Sequence, residues 1–212
     1  MKRNKLLFTL GIFSFIYWVL DFINIVFFIN KPEFVLWYSS AGLLLTSIAL
    51  IRQSPRLILV MFCSLFVMES IWSLDFLARL LSGISPLGIT DYLFEFPYTK
   101  KDLVMTMYHL MIPPFLLIGV SKTQKIFHYS WIGSVLYAGS LAFLTYWMAD
   151  PKGSVNCIHQ LIRCRGVFSS IFTAFPKPYH IFFVLLSATF LVYLPTNYLL
   201  NKIGKKFRWR EI

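Results

Sequence analysis

The chain has 212 residues, enough for one domain, but 58% of them are hydrophobic, 18% aromatic and 14% charged, with a mean hydropathy of +0.68. That balance excludes an ordinary water-soluble core and points to a multi-pass membrane protein. The net charge of +11 would suggest nucleic acid for a soluble protein; here the basic residues gather at the ends of apolar runs without a stacking or groove-reading motif, so topology and anionic lipid headgroups account for them, and nucleic acid is not an expected partner.

Met1 to Lys5 is basic and leads into an apolar run, as in a signal peptide, but the run continues without a small-residue cleavage site and predicts a retained first helix. Six segments qualify as spans: Leu6 to Ile29, Phe34 to Ile51, Leu57 to Leu81, Asp102 to Val120, Trp131 to Met148 and Tyr179 to Leu200. They are apolar all round, unlike helices on a soluble core. The expected fold is an all-α membrane protein, a six-transmembrane-helix bundle forming one integral domain over 1–212. With that topology, the side holding both termini carries twelve Lys and Arg against the single acid Glu211, and the other side eight against five acids. The bias predicts cytoplasmic termini and a bacterial inner (plasma) membrane. Trp37, Trp131, Trp147 and Tyr179 stand near span ends, where an aromatic belt belongs.

Two long connections then face outward. Ser82 to Lys101 carries Gly83, Pro86 and Gly88, followed by the semi-apolar run Ile89 to Phe96, too short to span but able to lie in the interface. Ala149 to Pro178 carries an apolar patch, Val167 to Phe175, and is long enough to suggest a functional role. It also holds Cys157 and Cys164, which could form a disulfide in an oxidising compartment or, with His159, offer three ligands to zinc in a spacing that matches no strong motif. No metal or cofactor is expected.

Ionisable groups at depth carry the functional argument, because in hydrocarbon they need a partner, a wet cavity or a task. Glu69 lies ~18 Å of helix rise past Leu57, near the bilayer centre. Asp75 and Arg79 are four apart in the acid-first order and are expected to meet on one face. Asp21 is a further deep acid. In the fourth span, Pro113 and Pro114 withdraw the helix bonds to the carbonyls of His109 and Leu110. A polar ring and two free carbonyls thus fall at one level, either as a hydrogen-bonded kink or as a site for a general base or proton relay. Pro195-Thr196-Asn197 is a second broken turn with a structural reading, and Ser134, Ala138 and Ala142 form a small-residue packing stripe. Thr46, Ser39, Ser40, Ser64 and Cys63 are nucleophile candidates without a supporting motif.

Trp37, Ile71 to Leu77, Gly88 to Phe94, and His109 with Pro113 together resemble a group of small bacterial multi-pass membrane proteins of unassigned function. The Trp-x-x-Asp-Phe and Gly-Ile-Thr-Asp-Tyr stretches are the most specific parts. In that group an acid often follows the tryptophan of the second span; here Tyr38-Ser39-Ser40 takes its place. The stretch His109 to Phe115 is also similar to the surroundings of the histidine in the androgen-induced family of membrane hydrolases, which cleave fatty acid esters with a threonine and a histidine. That resemblance implies Thr46 as nucleophile and His109 as its base.

Three functional readings follow. The first is a membrane-embedded hydrolase or acyltransferase acting on a lipid or amphiphile, with His109, Asp75, Glu69 and Thr46 as catalytic candidates converging on one cavity. The second is a proton-coupled carrier of a small solute using Asp21, Glu69 and His109. The third is a non-catalytic assembly subunit with a membrane-protein partner or a second copy of itself.

Overall fold

The computed structural model describes residues 4–95, 104–150, 155–158 and 179–212. The fold is almost wholly helical. α1 (Lys5–Ile23) continues into a π-helical turn, Asn24–Ile29. α2 (Tyr38–Arg52), α3 (Pro55–Ser82), the short α4 (Tyr92–Glu95), α5 (Tyr108–Thr123) and α6 (Ser130–Met148) follow. α7 (Tyr179–Ala188) passes through a second π-helical turn, Thr189–Tyr193, into α8 (Leu194–Lys206).

Four continuous helical stretches are long and apolar enough to cross a membrane: Lys5–Ile29, Pro55–Ser82, Val104–Thr123 and Tyr179–Lys206. The other two expected spans are also helices, but they do not join that set. The second is shorter than expected. Pro32 opens a 3-10 turn to Leu36, Trp37 is extended, and α2 starts only at Tyr38. Its 15 residues rise ~22 Å, less than the ~30 Å hydrocarbon thickness. α6 is long enough at 19 residues, but its apolar run is interrupted by Ser, Thr, Tyr and Trp side chains. The expected start of the fourth span at Asp102, Cys164 and His159 as expected partners of Cys157, and the patch Val167–Phe175 lie outside the described residues.

α3 is the hub. Ile58, Met61, Cys63, Ser64 and Leu65 are fully buried, packed with Leu43 and Leu50 of α2 and Ile112 and Leu116 of α5. The α2–α3 turn follows local rules. Gln53 takes the left-handed conformation at φ 52°, Ser54 N–H donates to Ala49 O at 3.1 Å, and Pro55 occupies the first turn of α3. Close approach is made possible where side chains are absent: a Cβ on Gly11 would stand 2.7 Å from the backbone N of Ile51, so α1 and α2 are in backbone contact there. The small stripe of α6 packs likewise, Ser134 Oγ donating to Val60 O at 3.1 Å. Large apolar side chains on the outer faces, Phe27, Phe28 and Leu191 among them, are exposed, as on a lipid-facing bundle.

At the end of the bundle where Asn4 meets Gln53, a two-residue parallel ladder joins Lys125–Ile126 to Arg210–Glu211. Asn197 Nδ2 donates to His128 O at 2.8 Å, giving the Pro-Thr-Asn turn a structural use. Pro195 has no N–H for the carbonyl of Leu191, and the π-helical turn lies at this level.

Candidate functional site

The polar centre forms where α3, α5 and the start of α2 meet. His109 Nδ1 lies 2.5 Å from Glu69 Oε2, both side chains buried. The other ring nitrogen, Nε2, lies 3.5 Å from Ser39 Oγ, at the outer limit of a hydrogen bond. With the proton on Nδ1 and directed at the carboxylate, Nε2 presents its lone pair to the serine hydroxyl.

The imidazole is held on both faces. Trp72 stacks on it with ring centroids 3.9 Å apart and planes 19° apart, and Tyr108 stacks at 4.5 Å. Below the ring the helix is open, since Pro113 offers no N–H to the carbonyl of His109. Ser73 Oγ fills that role at 3.0 Å, so α3 supplies both the carboxylate for the ring and the donor for its backbone.

Ser39 is the second residue of α2, and the first-turn N–H groups of a helix have no acceptor within it. Asn156 caps this end from a distant segment: its Oδ1 accepts from Tyr38 N at 2.7 Å and its Nδ2 donates to Leu36 O at 2.6 Å. The N–H groups of Ser39 and Ser40 follow directly, beside the Ser39 hydroxyl.

One hollow opens at this centre and a second lies nearby. A cavity of about 410 Å³ is lined by His109, Tyr108, Asp21, Asn24, Trp37 and Lys31. A second, mostly apolar and about 250 Å³, is lined by Tyr38 and Met68, the chain neighbours of Ser39 and Glu69, with Ala142, His180, Val184 and Leu185. Tyr38, beside it, shares a hydrogen bond with the hydroxyl of Tyr193 at 3.0 Å and donates to Ser64 O at 3.0 Å.

Asp21 does belong to this region: it lines the larger cavity with His109 and accepts from Ser40 Oγ at 3.3 Å. The expected convergence of Asp75 and Thr46 on His109 is not what the structure shows. The Asp75 carboxylate is filled by the 85–90 loop, accepting from Ser85 Oγ (2.7 Å), Leu87 N (2.8 Å), Ile89 N (3.0 Å), Thr90 N (3.0 Å) and Thr90 Oγ1 (2.9 Å). Asp75 is thus a latch that folds the Gly-Ile-Thr-Asp-Tyr stretch onto the Trp-x-x-Asp-Phe stretch. Leu93 then packs on Trp72 and Phe76, whose stacked rings lead to His109. Nor do Asp75 and Arg79 pair. With the carboxylate satisfied by the loop, Arg79 donates to Gly83 O and lies over the Phe94 ring at 5.5 Å.

Thr46 is fully buried, its hydroxyl without a partner among the described residues. It lies two helical turns beyond Ser39, ~10 Å along α2. The hydroxyl at His109 is therefore Ser39.

Asn24, Asn156 and the ring sandwich were not singled out from sequence. For Asn24 a signal existed, because it follows Asp21 by three residues and shares its helical face. Asn156 acts across a separation of 118 residues from Tyr38, with no local signature. Among the described residues, no group of three His, Cys, Asp or Glu side chains is placed to hold a metal ion. Comparison of the chain with protein-family models, curated proteins and solved structures finds no match.

Proposed function

We propose that this protein is a six-span hydrolase or acyltransferase of a bacterial inner membrane, with cytoplasmic termini, acting on acyl esters of lipid or other amphiphilic character. The observation that carries the reading is the line from Glu69 through His109 to Ser39: carboxylate on Nδ1, hydroxyl on Nε2. This is the arrangement by which a weak oxygen nucleophile is activated, and a loose hydroxyl contact is ordinary before substrate binds.

In the proposed reaction Ser39 Oγ attacks the acyl carbonyl carbon while its proton passes to His109 Nε2. Glu69 stabilises the resulting imidazolium. The oxyanion is met by the free N–H groups at the start of α2, where the helix dipole is positive. Collapse releases the alcohol, which takes the proton from Nε2 and leaves an ester on Ser39. Water, or a second alcohol in the transferase version, then attacks that ester with His109 again as base, and the proton on Nε2 returns to Ser39 Oγ. Supporting the substrate class, a cavity with both polar and apolar walls opens at His109, and a mostly apolar one lies beside Tyr38.

The test is covalent labelling of the detergent-purified protein with a long-chain alkyl fluorophosphonate, followed by peptide mass spectrometry. A phosphonyl adduct on Ser39, lost in Ser39→Ala and in His109→Ala, is the expected result. A folded protein that takes no label, or takes it equally without Ser39, overturns the reading.

A further inference from the structure

Two residues that line the larger cavity carry acceptors that the proposed chemistry does not use. Asn24 is 3% exposed, lines the cavity, and its Oδ1 has no hydrogen-bond partner among the described residues. Asp21, three residues earlier on the same helical face, is 5% exposed, and its described hydrogen-bond donor is Ser40 Oγ at 3.3 Å. A carboxylate and an amide oxygen both accept, so what answers them must donate. An unpaired buried acceptor is costly to the folded state, and a ligand hydroxyl placed there recovers that cost on binding.

Asn24 also opens the π-helical turn that ends the first helix. Charge narrows the ligand further. Lys31 lines the same cavity as Asp21, so the wall carries both signs and calls for no net charge on its occupant. Trp37 and Tyr108 supply apolar walls around the polar spot, and His109 opens onto the same space.

We propose that the cavity bounded by Asp21, Asn24 and His109 receives an uncharged polyol headgroup of an acyl ester, with one hydroxyl donating to the Asp21 carboxylate and another to Asn24 Oδ1. This rests on the acyl-transfer reading of Ser39 and names the substrate class: glycerol-like esters rather than charged phospholipids or amines.

Binding to non-hydrolysable probes separates the two claims. Wild-type protein in nanodiscs is titrated with glycerol monooctadecyl ether, with the same lipid carrying both hydroxyls methylated, and with octadecylamine. The diol is expected to bind about tenfold more tightly than its dimethyl counterpart, and Asn24→Leu and Asp21→Ala are each expected to erase most of that preference. Equal binding of diol and dimethyl ether, or a preference for the amine, overturns the headgroup assignment without recourse to any variant. A diol preference in a protein whose Ser39 takes no fluorophosphonate preserves the headgroup site and removes the acyl chemistry; labelling without a diol preference does the reverse.

Discussion

Ser73 donates to the backbone carbonyl of His109 at 3.0 Å, and that carbonyl is the one Pro113 leaves without a helix partner. The serine thus repairs the proline's damage while fixing the height of the imidazole against α3. Ser73→Ala is expected to cost about 1–3 kcal/mol, the penalty of a buried acceptor left unsatisfied. In a Pro113→Ala background, where an N–H is restored, the same change is expected to be nearly neutral. A double-mutant cycle on thermal unfolding in detergent measures the difference, and equal costs in both backgrounds would refute the compensation.

Glu69→Gln keeps an oxygen in reach of His109 Nδ1 but removes the charge that supports an imidazolium. Fluorophosphonate labelling of Ser39 is expected to slow by ~10²–10⁴-fold, the range assigned to a positioned acid–base partner, with the unfolding temperature little changed. A labelling rate equal to wild type would detach the carboxylate from the chemistry.

Asp75→Ala removes the acceptor of three backbone N–H groups and two hydroxyls in the 85–90 loop. We expect a loss of roughly 2–4 kcal/mol, as for other broken charged hydrogen-bond networks, together with rapid proteolysis between Gly83 and Asp91. Asp75→Asn, which retains one acceptor oxygen, should fall between the two and still label at Ser39. Loss of labelling with an intact loop would return Asp75 to the reacting centre.

Gly11→Ala places a methyl 2.7 Å from Ile51 N, which is backbone and cannot swing aside. α1 must move off α2, at a cost of about 1–3 kcal/mol. Because Asp21 meets Ser40 across the same helix pair, diol binding should weaken as well. Unfolding temperature and the nanodisc titration read the two effects separately.

The helices were legible in the sequence because runs that are apolar all round leave few alternatives to a helix in contact with lipid or with other helices. Their irregularities were not. Trp37 sits in the short apolar run Phe34 to Tyr38, and nothing in hydropathy marks the extended backbone that delays α2 to Tyr38. The two π-helical turns arise from how the helices accommodate one another, which no local signal encodes. At the centre, the proline-freed carbonyl and the depth of Glu69 and His109 could be read directly, whereas their contact spans 40 residues of chain and depends on how α3 and α5 pack. Asp75 misled for a simple reason. An acid among apolar residues announces that it has partners, but three of its five are backbone amides, and those are invisible in a list of side chains.

The sandwich around the imidazole gives the molecule an optical handle. Trp72 lies 3.9 Å from the ring of His109, and an imidazolium at that distance quenches excited indole where neutral imidazole does so far less. A variant keeping Trp72 alone of the six tryptophans would therefore emit according to whether its neighbour carries one proton or two, making each protonation of the ring a change in brightness that can be followed in time.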